Sequence, residues 1–138
     1  MGQGSSALES VIPGMRAAPS STKVQLDGLG NIAGFAQSAA NRALAMKAGA
    51  VPAVVAALKN NKKNVDVLRA ACRALHAMLG EGGGAAAARS ALEEGAVAQF
   101  AWWIKHNKSG GEAVGLSCSA LVALIKALAL MPEKSKQQ

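Results

Sequence analysis

Two stretches of this chain repeat one pattern and decide how the rest of it is interpreted. The first is AGAVPAVVAALKNN, residues 48–61, and the second is EGAVAQFAWWIKHN, residues 94–107. They align without a gap, so that Gly49 pairs with Gly95, 46 residues further on. A repeat of roughly 20–50 residues indicates stacked supersecondary units, because one unit alone cannot bury its apolar face.

The same separation aligns three further stretches, and each of them has the spacing of an amphipathic helix. They are KVQLDGLGNIAGFA, VDVLRAACRALHAML and EAVGLSCSALVALIKALAL, in which Leu29, Leu75 and Leu121 are equivalent. Apolar residues recur in each at intervals of three and four residues, the period of one helical face. The 46-residue register therefore extends over most of the chain, and it makes Cys72 and Cys118 another equivalent pair.

Each complete unit is predicted to contain three helices. A short helix near residues 41–47 and 86–93 ends at the repeated glycine, which is a helix-stop signal. A second helix covers about residues 51–59 and 97–106, the third is the longest, and GEGGG separates the units. An Ala-rich chain poor in β-branched residues favours packed helices. We therefore predict an all-α chain, with seven helices and no sheet over residues 23–130.

This pattern resembles the armadillo repeat. The stretch AMKAGAVPAVVAALKNNKKNVDVLRAACRALHAML has the family's short helix, Gly turn, Val-Pro-Ala second helix and long third helix, and GLGNIA resembles the end of the family's third helix. The resemblance implies a short right-handed α-solenoid of about two and a half three-helix repeats at residues 23–130. Residues 1–22 would then be a polar arm and residues 131–138 a charged tail. It also implies a non-enzymatic role in binding other proteins.

The composition is that of a basic protein with a sizeable core. The 138 residues are 51% hydrophobic, and 15 basic against 8 acidic residues give a net charge of +7. Such a charge favours acidic partners, which include acidic protein segments, nucleic acid and anionic lipid, but it also occurs in soluble basic proteins without them. The sequence has no apolar run near the roughly 20 residues of a membrane span, and no secretory signal pattern.

The two cysteines bear on the compartment. Cys72 and Cys118 are one repeat apart, and packed helices lie about 8–10 Å apart. That is too far for a disulfide, whose Cα atoms lie within about 7 Å of each other. We therefore expect two free, buried thiols and, with them, a reducing, intracellular location in the cytoplasm.

No catalytic, metal or cofactor site is predicted. His76 and His106 lie on different elements, no nucleophile motif occurs, and GEGGG lacks the Lys-Ser/Thr that follows a phosphate-binding loop. Acidic residues are few and scattered, which disfavours a catalytic carboxylate pair. We expect a protein that is not an enzyme and that needs neither a metal nor a cofactor.

The third helices carry the first of three candidate partner surfaces. In the armadillo family these helices line a concave groove, in which Trp and Asn side chains bind an extended peptide. At the matching positions only Asn31 is present, so the resemblance does not carry the peptide clamp over to this chain. The face is instead basic, and we expect it either to bind an acidic ligand or to be solvated. Its basic residues are Lys23, Arg69, Arg73 and His76.

The second candidate surface is a row of lysines after the second helices, which we call the basic edge. Its members are Lys59, Lys62, Lys63, Lys105 and Lys108. Stacked units would align them, either for partner binding or only for solubility. The third candidate is Trp102, at an outward position of the pattern, where it would anchor a partner or fold against its own unit. Trp103 lies at an inward position and is expected in the core.

Both ends of the predicted solenoid lack an evident cover. The first of the three long helices has no second helix of its own unit, and Ala7–Ile12 would add only one or two helical turns before Pro13. The last helix, at residues 119–130, is apolar around most of its circumference, unlike a capping helix. We therefore predict that at least one end stacks on another chain.

Together these features predict a non-enzymatic scaffold, a structural subunit that binds other protein chains through its ends and its concave face. The first alternative is a nucleic-acid-associated subunit of a ribonucleoprotein, which the charge favours and the scarcity of aromatic residues opposes. The second alternative is a membrane-tethered scaffold, because MGQGSS matches the N-myristoylation pattern with Gly2 as the acceptor.

Overall fold

The computed structural model describes residues 3–80, 84–107 and 111–129, and only the backbone of residues 3–7. Gly2, Lys108 and the predicted tail at 131–138 lie outside these ranges. Within them the chain forms eight α-helices and no strand. The helices are α1 Gln3–Ala17, α2 Thr22–Phe35, α3 Ala39–Ala48, α4 Ala50–Asn60, α5 Val65–Leu79, α6 Ala85–Glu94, α7 Ala96–Lys105 and α8 Glu112–Ala129. The prediction of an all-α chain is confirmed for the described residues, and α2 to α8 are the seven expected helices.

The repeated glycine closes the same turn in both complete units. Gly49 joins α3 to α4 with a φ of 91°, and Gly95 joins α6 to α7 with a φ of 94°. In the first turn the N–H of Gly49 donates to the carbonyls of Ala45 and Met46. Because glycine adopts this left-handed conformation without a steric cost, the turn geometry explains why glycine recurs at this position.

Counting from the N-terminus, α2 belongs to the first unit, α3 to α5 form the second and α6 to α8 form the third, and helices at equivalent places pack against one another. α2 packs against α5, α5 packs against α8, and α4 packs against α7. Within a unit, α4 lies against α5 and α7 lies against α8. Equivalent side chains fill the core between them, so that Val54 and Phe100 are both fully buried, as are Leu29 and Leu75. The 46-residue register of the sequence is therefore also a register of buried positions.

The N-terminal segment differs from the expectation of one or two helical turns. α1 has 15 residues and buries Leu8, Ile12 and Met15. It packs against α2, α3 and α4, and α4 packs in the same way against α5, α6 and α7. Leu8 also lies 46 residues before the buried Val54. α1 therefore takes the place of the second helix that the first unit was expected to lack.

The signal for α1 is present in the sequence. Leu8, Val11, Ile12 and Met15 have the spacing of one helical face, but the expectation gave more weight to Pro13. Pro13 lies inside α1 at an exposed position. A proline there removes one N–H and crowds the carbonyl four residues earlier. Burial of the apolar face of α1 offsets that local cost.

Side-chain amides hold the connection between α1 and α2 in place. The buried Gln25 donates from Nε2 to the carbonyl of Met15 at 2.9 Å and to that of Ala18 at 3.0 Å. Asn61, after α4, donates from Nδ2 to the carbonyl of Pro19 at 3.0 Å. The first unit is thereby covered and fastened by residues of its own chain.

Candidate interaction surfaces

The outer side of α7 and α8 exposes apolar residues at positions that the preceding unit buries. Val51 in α4 is 0% exposed, whereas its equivalent in α7, Val97, is 45% exposed. Leu79 in α5 is 4% exposed, whereas its equivalent in α8, Ile125, is 64% exposed. Residues of similar chemistry thus have opposite environments in the two units.

We call this surface the open face. Its members are exposed residues whose equivalents 46 positions earlier are buried, namely Val97, Ala101, Cys118 and Ile125. The equivalents are covered because α4 packs against α6 and α7, and α5 packs against α8. In the described part of the chain no helix follows α8 to cover the open face in the same way.

The two cysteines show the same difference, and the expectation of two buried thiols is wrong for Cys118. Both thiols are free, but Cys72 is buried and Cys118 is exposed. Cys72 donates from Sγ to the carbonyl of Leu116 in α8, at 3.7 Å. Burial raises the pKa of the Cys72 thiol to about 12. Equivalence in the repeat therefore did not predict whether a neighbour covers Cys118.

The last helix has a further property that the sequence analysis did not expect. Among the described helices, α8 alone is long and apolar enough to cross a membrane by length and composition, with 18 residues of which 28% are buried. Gly115, Ser117 and Lys126 interrupt its apolar run without making the helix polar on average. A core helix of a soluble protein passes the same test. α8 differs from such a core helix because most of its residues are not buried. Two of its exposed residues, Cys118 and Ile125, are members of the open face.

Part of the basic edge reaches across to the next unit. The Nζ of Lys62, in the loop after α4, lies 5.6 Å from the ring centroid of Trp102 in α7. The end of the Lys59 side chain lies beside Gly95, at the turn between α6 and α7. The structure thus brings lysines of the second unit together with the aromatic residues of the third. Such a cation over an indole ring contributes about 0.5–1 kcal/mol at an exposed site.

Trp102 is half-buried, and besides Lys62 its ring contacts two aromatic side chains at the end of α7. His106 stacks on it, with ring centroids 4.3 Å apart and planes 20° apart, and Trp103 meets it edge-on at 5.4 Å. Trp103 is buried, as expected for a core position. The two indoles therefore have different environments, and the ring of Trp102 forms part of the surface.

Beside this ring is a groove, which we call the Trp102 groove. It is lined by Lys63, Trp102, Trp103, His106 and Asn107, and its volume is about 310 Å³. The lining residues come from the end of α7 and from the loop between α4 and α5. The sequence assigns two of these residues, Lys63 and Trp102, to separate candidate surfaces, and the structure brings them together in one groove.

The predicted basic face on the third helices is largely neutralised. Lys23 pairs with Asp27 at 2.9 Å within α2. Arg69 donates to Asp66 at 2.8 Å and to both carboxylate oxygens of Glu112 in α8, at 2.5 and 2.7 Å. These bonds lower the pKa of Glu112 and raise that of Arg69. Carboxylates of this chain already pair with Lys23 and Arg69. An acidic ligand would therefore find fewer unpaired cations on this face.

The remaining members of that face have individual roles. Asn31 donates from Nδ2 to the carbonyl of Asp27 in its own helix, at 2.9 Å, so its amide serves α2. Arg73 and His76 are exposed, and Nε2 of His76 lies 3.5 Å from Oγ of Ser119. Within the described ranges, no group of three or more His, Cys, Asp or Glu side chains could hold a metal ion.

Comparison with known proteins finds no significant match among family models, curated proteins or solved structures. The resemblance to the armadillo repeat therefore rests on the sequence pattern itself and stays a prediction.

Proposed function

We propose that the chain is a non-enzymatic protein–protein interaction module, a short armadillo-like solenoid that serves as a structural subunit of a larger assembly. The solenoid is supported by the packing of α2 against α5 and of α5 against α8, and by the left-handed glycine turns at Gly49 and Gly95. The interaction role is carried by one observation, which is the exposure of apolar residues on the open face where their equivalents are buried.

The occupant that we propose for the open face is a helical layer of another protein chain. In the preceding unit the equivalent positions are covered by α6, α7 and α8, so the complementary shape is the side of such a layer. The contact of the Cys72 thiol with the carbonyl of Leu116 is the template for what Cys118 would meet in the partner. Because full burial of a Val or Ile side chain contributes about 1.5–3 kcal/mol, covering Val97 and Ile125 would contribute on the order of 2–3 kcal/mol.

The end of the chain formed by α1 and α2 differs from the open face in its exposed residues, and this difference favours a single docking surface. The exposed large apolar residues of the described chain are Leu44, Leu92, Val97, Val122 and Ile125, and neither α1 nor α2 contributes one. A head-to-tail stack of identical copies would need an apolar surface at both ends, since each interface joins two different faces. The geometry therefore favours one different partner at the α8 end over a filament of copies.

Introducing charge on the open face tests this proposal. Val97→Glu combined with Ile125→Glu places two carboxylates where the partner layer would dock. Leu44→Glu is the matched control, because Leu44 is exposed to a similar extent on α3, outside the open face. Each tagged variant is purified with its assembly at native salt, and the bound chains are identified and counted by native mass spectrometry.

We expect the wild-type chain and Leu44→Glu to retain the same partner in the same stoichiometry, and the double variant to lose it while keeping its helical circular dichroism. A wild-type chain that binds no other protein would contradict the proposal, and so would equal loss in the control. If the wild-type chain floated with lipid vesicles and Ile125→Glu abolished this, the open face would bind a lipid bilayer and not a protein partner.

A nucleic-acid-associated subunit is the second candidate, and the lysines beside Trp102 are the observation that favours it. Phosphate contacts would make binding fall steeply with salt concentration. Against it, Phe100 and Trp103 are buried, which leaves few rings for base stacking. The third candidate, a membrane-tethered scaffold, depends on Gly2, and an acyl group would appear as an increase in the intact mass of the protein.

A further inference from the structure

We propose that the Trp102 groove is a second binding site, which takes an acidic segment of a protein partner by its carboxylate side chains. The groove lies at the loop after α4 and the end of α7, and none of its lining residues belongs to the open face. Its volume of about 310 Å³ suits one or two side chains rather than a folded domain.

The charge of the groove is uniformly positive or neutral. None of the lining residues that the structure describes is acidic, and Lys63 is one of them. Lys62 is held over the ring of Trp102, at 5.6 Å from its centroid. Asp66, the acidic residue that follows these lysines in sequence, accepts a hydrogen bond from Arg69 at 2.8 Å, so its charge is already engaged. A carboxylate entering the groove would therefore meet ammonium groups that no lining carboxylate neutralises.

Hydrogen bonds to the backbone also orient two of the side chains that line the groove. Nδ1 of His106 lies 2.9 Å from the carbonyl of Trp102. Because a carbonyl oxygen only accepts, Nδ1 donates, and this bond orients the imidazole ring beside the groove. Nδ2 of Asn107 donates to the carbonyl of Trp103 at 2.6 Å. With these side chains already ordered, a ligand loses less free energy to the ordering of the site.

The aromatic geometry favours a peptide over a nucleic acid. A nucleobase binds such surfaces by stacking on an open ring, usually with further rings for its neighbours. The ring of Trp102 is already stacked on His106, and Lys62 also lies over it. Trp103 and Phe100 are buried and supply no adjacent platform. A base would therefore have to displace existing contacts, whereas a carboxylate would only add to them.

The test compares two polyanions on matched variants. A short polyglutamate peptide and oligodeoxythymidylate are each titrated into the full chain at low ionic strength, with indole fluorescence as the readout and polyglutamine as the uncharged reference. Lys62→Ala with Lys63→Ala removes two charges at the groove. Lys23→Ala with Lys47→Ala removes two charges from α2 and α3, so the net charge of the two variants is the same. Circular dichroism verifies that both are folded.

We expect the groove variant to weaken polyglutamate binding by about fivefold or more, as for the loss of two exposed charge contacts, and the control to change it less than about twofold. Equal weakening in both variants would mean that binding depends only on net charge and would overturn the proposal. So would the absence of polyglutamate binding, or tighter binding of oligodeoxythymidylate that depends on the same lysines. The Val97→Glu, Ile125→Glu variant, whose net charge also falls by two, should weaken polyglutamate binding no more than the control does, which separates failure here from failure at the open face.

Discussion

The second and third units contain the same three helices, yet they bury them to different extents. α5 packs against both α2 and α8 and buries Leu79, whereas α8 packs against α5, α6 and α7 and leaves Ile125 exposed. The amino-acid types at equivalent positions are similar, since Leu79 corresponds to Ile125 and both position 72 and position 118 are cysteines. The difference in burial therefore arises from what lies next to each helix and not from a change in amino-acid type.

This difference is informative because apolar residues at an uncovered position carry a cost in solubility. A helix that ends a stack in water usually has a polar outer face. The other end of the chain is closed, because α1 covers it with Leu8, Ile12 and Met15. The proposed partner layer would cover the open end as α1 covers the other. Substitutions at equivalent positions of the second and third units therefore compare a covered with an uncovered environment.

The largest expected difference is between Leu79→Ala and Ile125→Ala. Leu79 is buried, so truncation removes packed atoms and leaves a cavity, and we expect the free energy of unfolding to fall by about 2–5 kcal/mol. Ile125 is mostly exposed, so Ile125→Ala should change it by less than about 0.5 kcal/mol. Urea denaturation of the isolated chain measures both. A large loss in Ile125→Ala would show that the open face is covered in solution, for example by a second copy.

The second largest expected difference is between the alkylation rates of Cys72 in the second unit and Cys118 in the third. At pH 8 we expect an alkylating reagent to modify Cys118 about 100-fold faster than Cys72, because Cys72 is buried and its raised pKa leaves little thiolate. Mass spectrometry of partially modified protein gives both rates, and Cys72→Ser and Cys118→Ser assign them. In urea the two rates should become similar. Protection of Cys118 only in the presence of the partner would locate the partner on the open face.

The turns and the buried register were predictable from sequence, because their causes are local. Gly49 and Gly95 are required by a positive φ, and the helical faces by a spacing of three and four residues. The exposure of Cys118 was not predictable, because burial depends on a neighbour that the repeat pattern only implies. The aromatic–lysine contact was missed for a similar reason. Lys62 and Trp102 are distant in sequence, and only the packing of α4 against α7 brings them together.

The glycine turns should behave alike in both units, in contrast to the faces. Gly49→Ala and Gly95→Ala each place a Cβ on a backbone with φ above 90°, and we expect each to lower the free energy of unfolding by about 1–2 kcal/mol. A Cβ at Gly49 would also lie 2.9 Å from Nη2 of Arg16, an end of a flexible side chain that can move. Thermal melts followed by circular dichroism compare the variants. If only one substitution were destabilising, the two turns would not be structural equivalents.

The smallest expected effect concerns the ion pair that joins the two units. Arg69 in α5 bonds to Glu112 in α8, whereas Lys23, the equivalent of Arg69, pairs with Asp27 inside its own helix.

The lowered pKa of Glu112 in the folded chain means that its contribution to stability is present above the unfolded pKa and disappears as pH falls through the folded value. Wild-type protein should therefore be slightly more stable than Glu112→Gln at neutral pH, and the two should converge as the pH falls below the folded pKa of Glu112, which lies under the ordinary glutamate value. Glu93→Gln, the same substitution on α6, serves as the control, and high salt should reduce the difference for Glu112→Gln because both side chains are partly exposed. Denaturation curves collected across this pH range measure the effect. Curves for Glu112→Gln that run parallel to the wild type through the acid limb would show that the ion pair does not join the second unit to the third in solution.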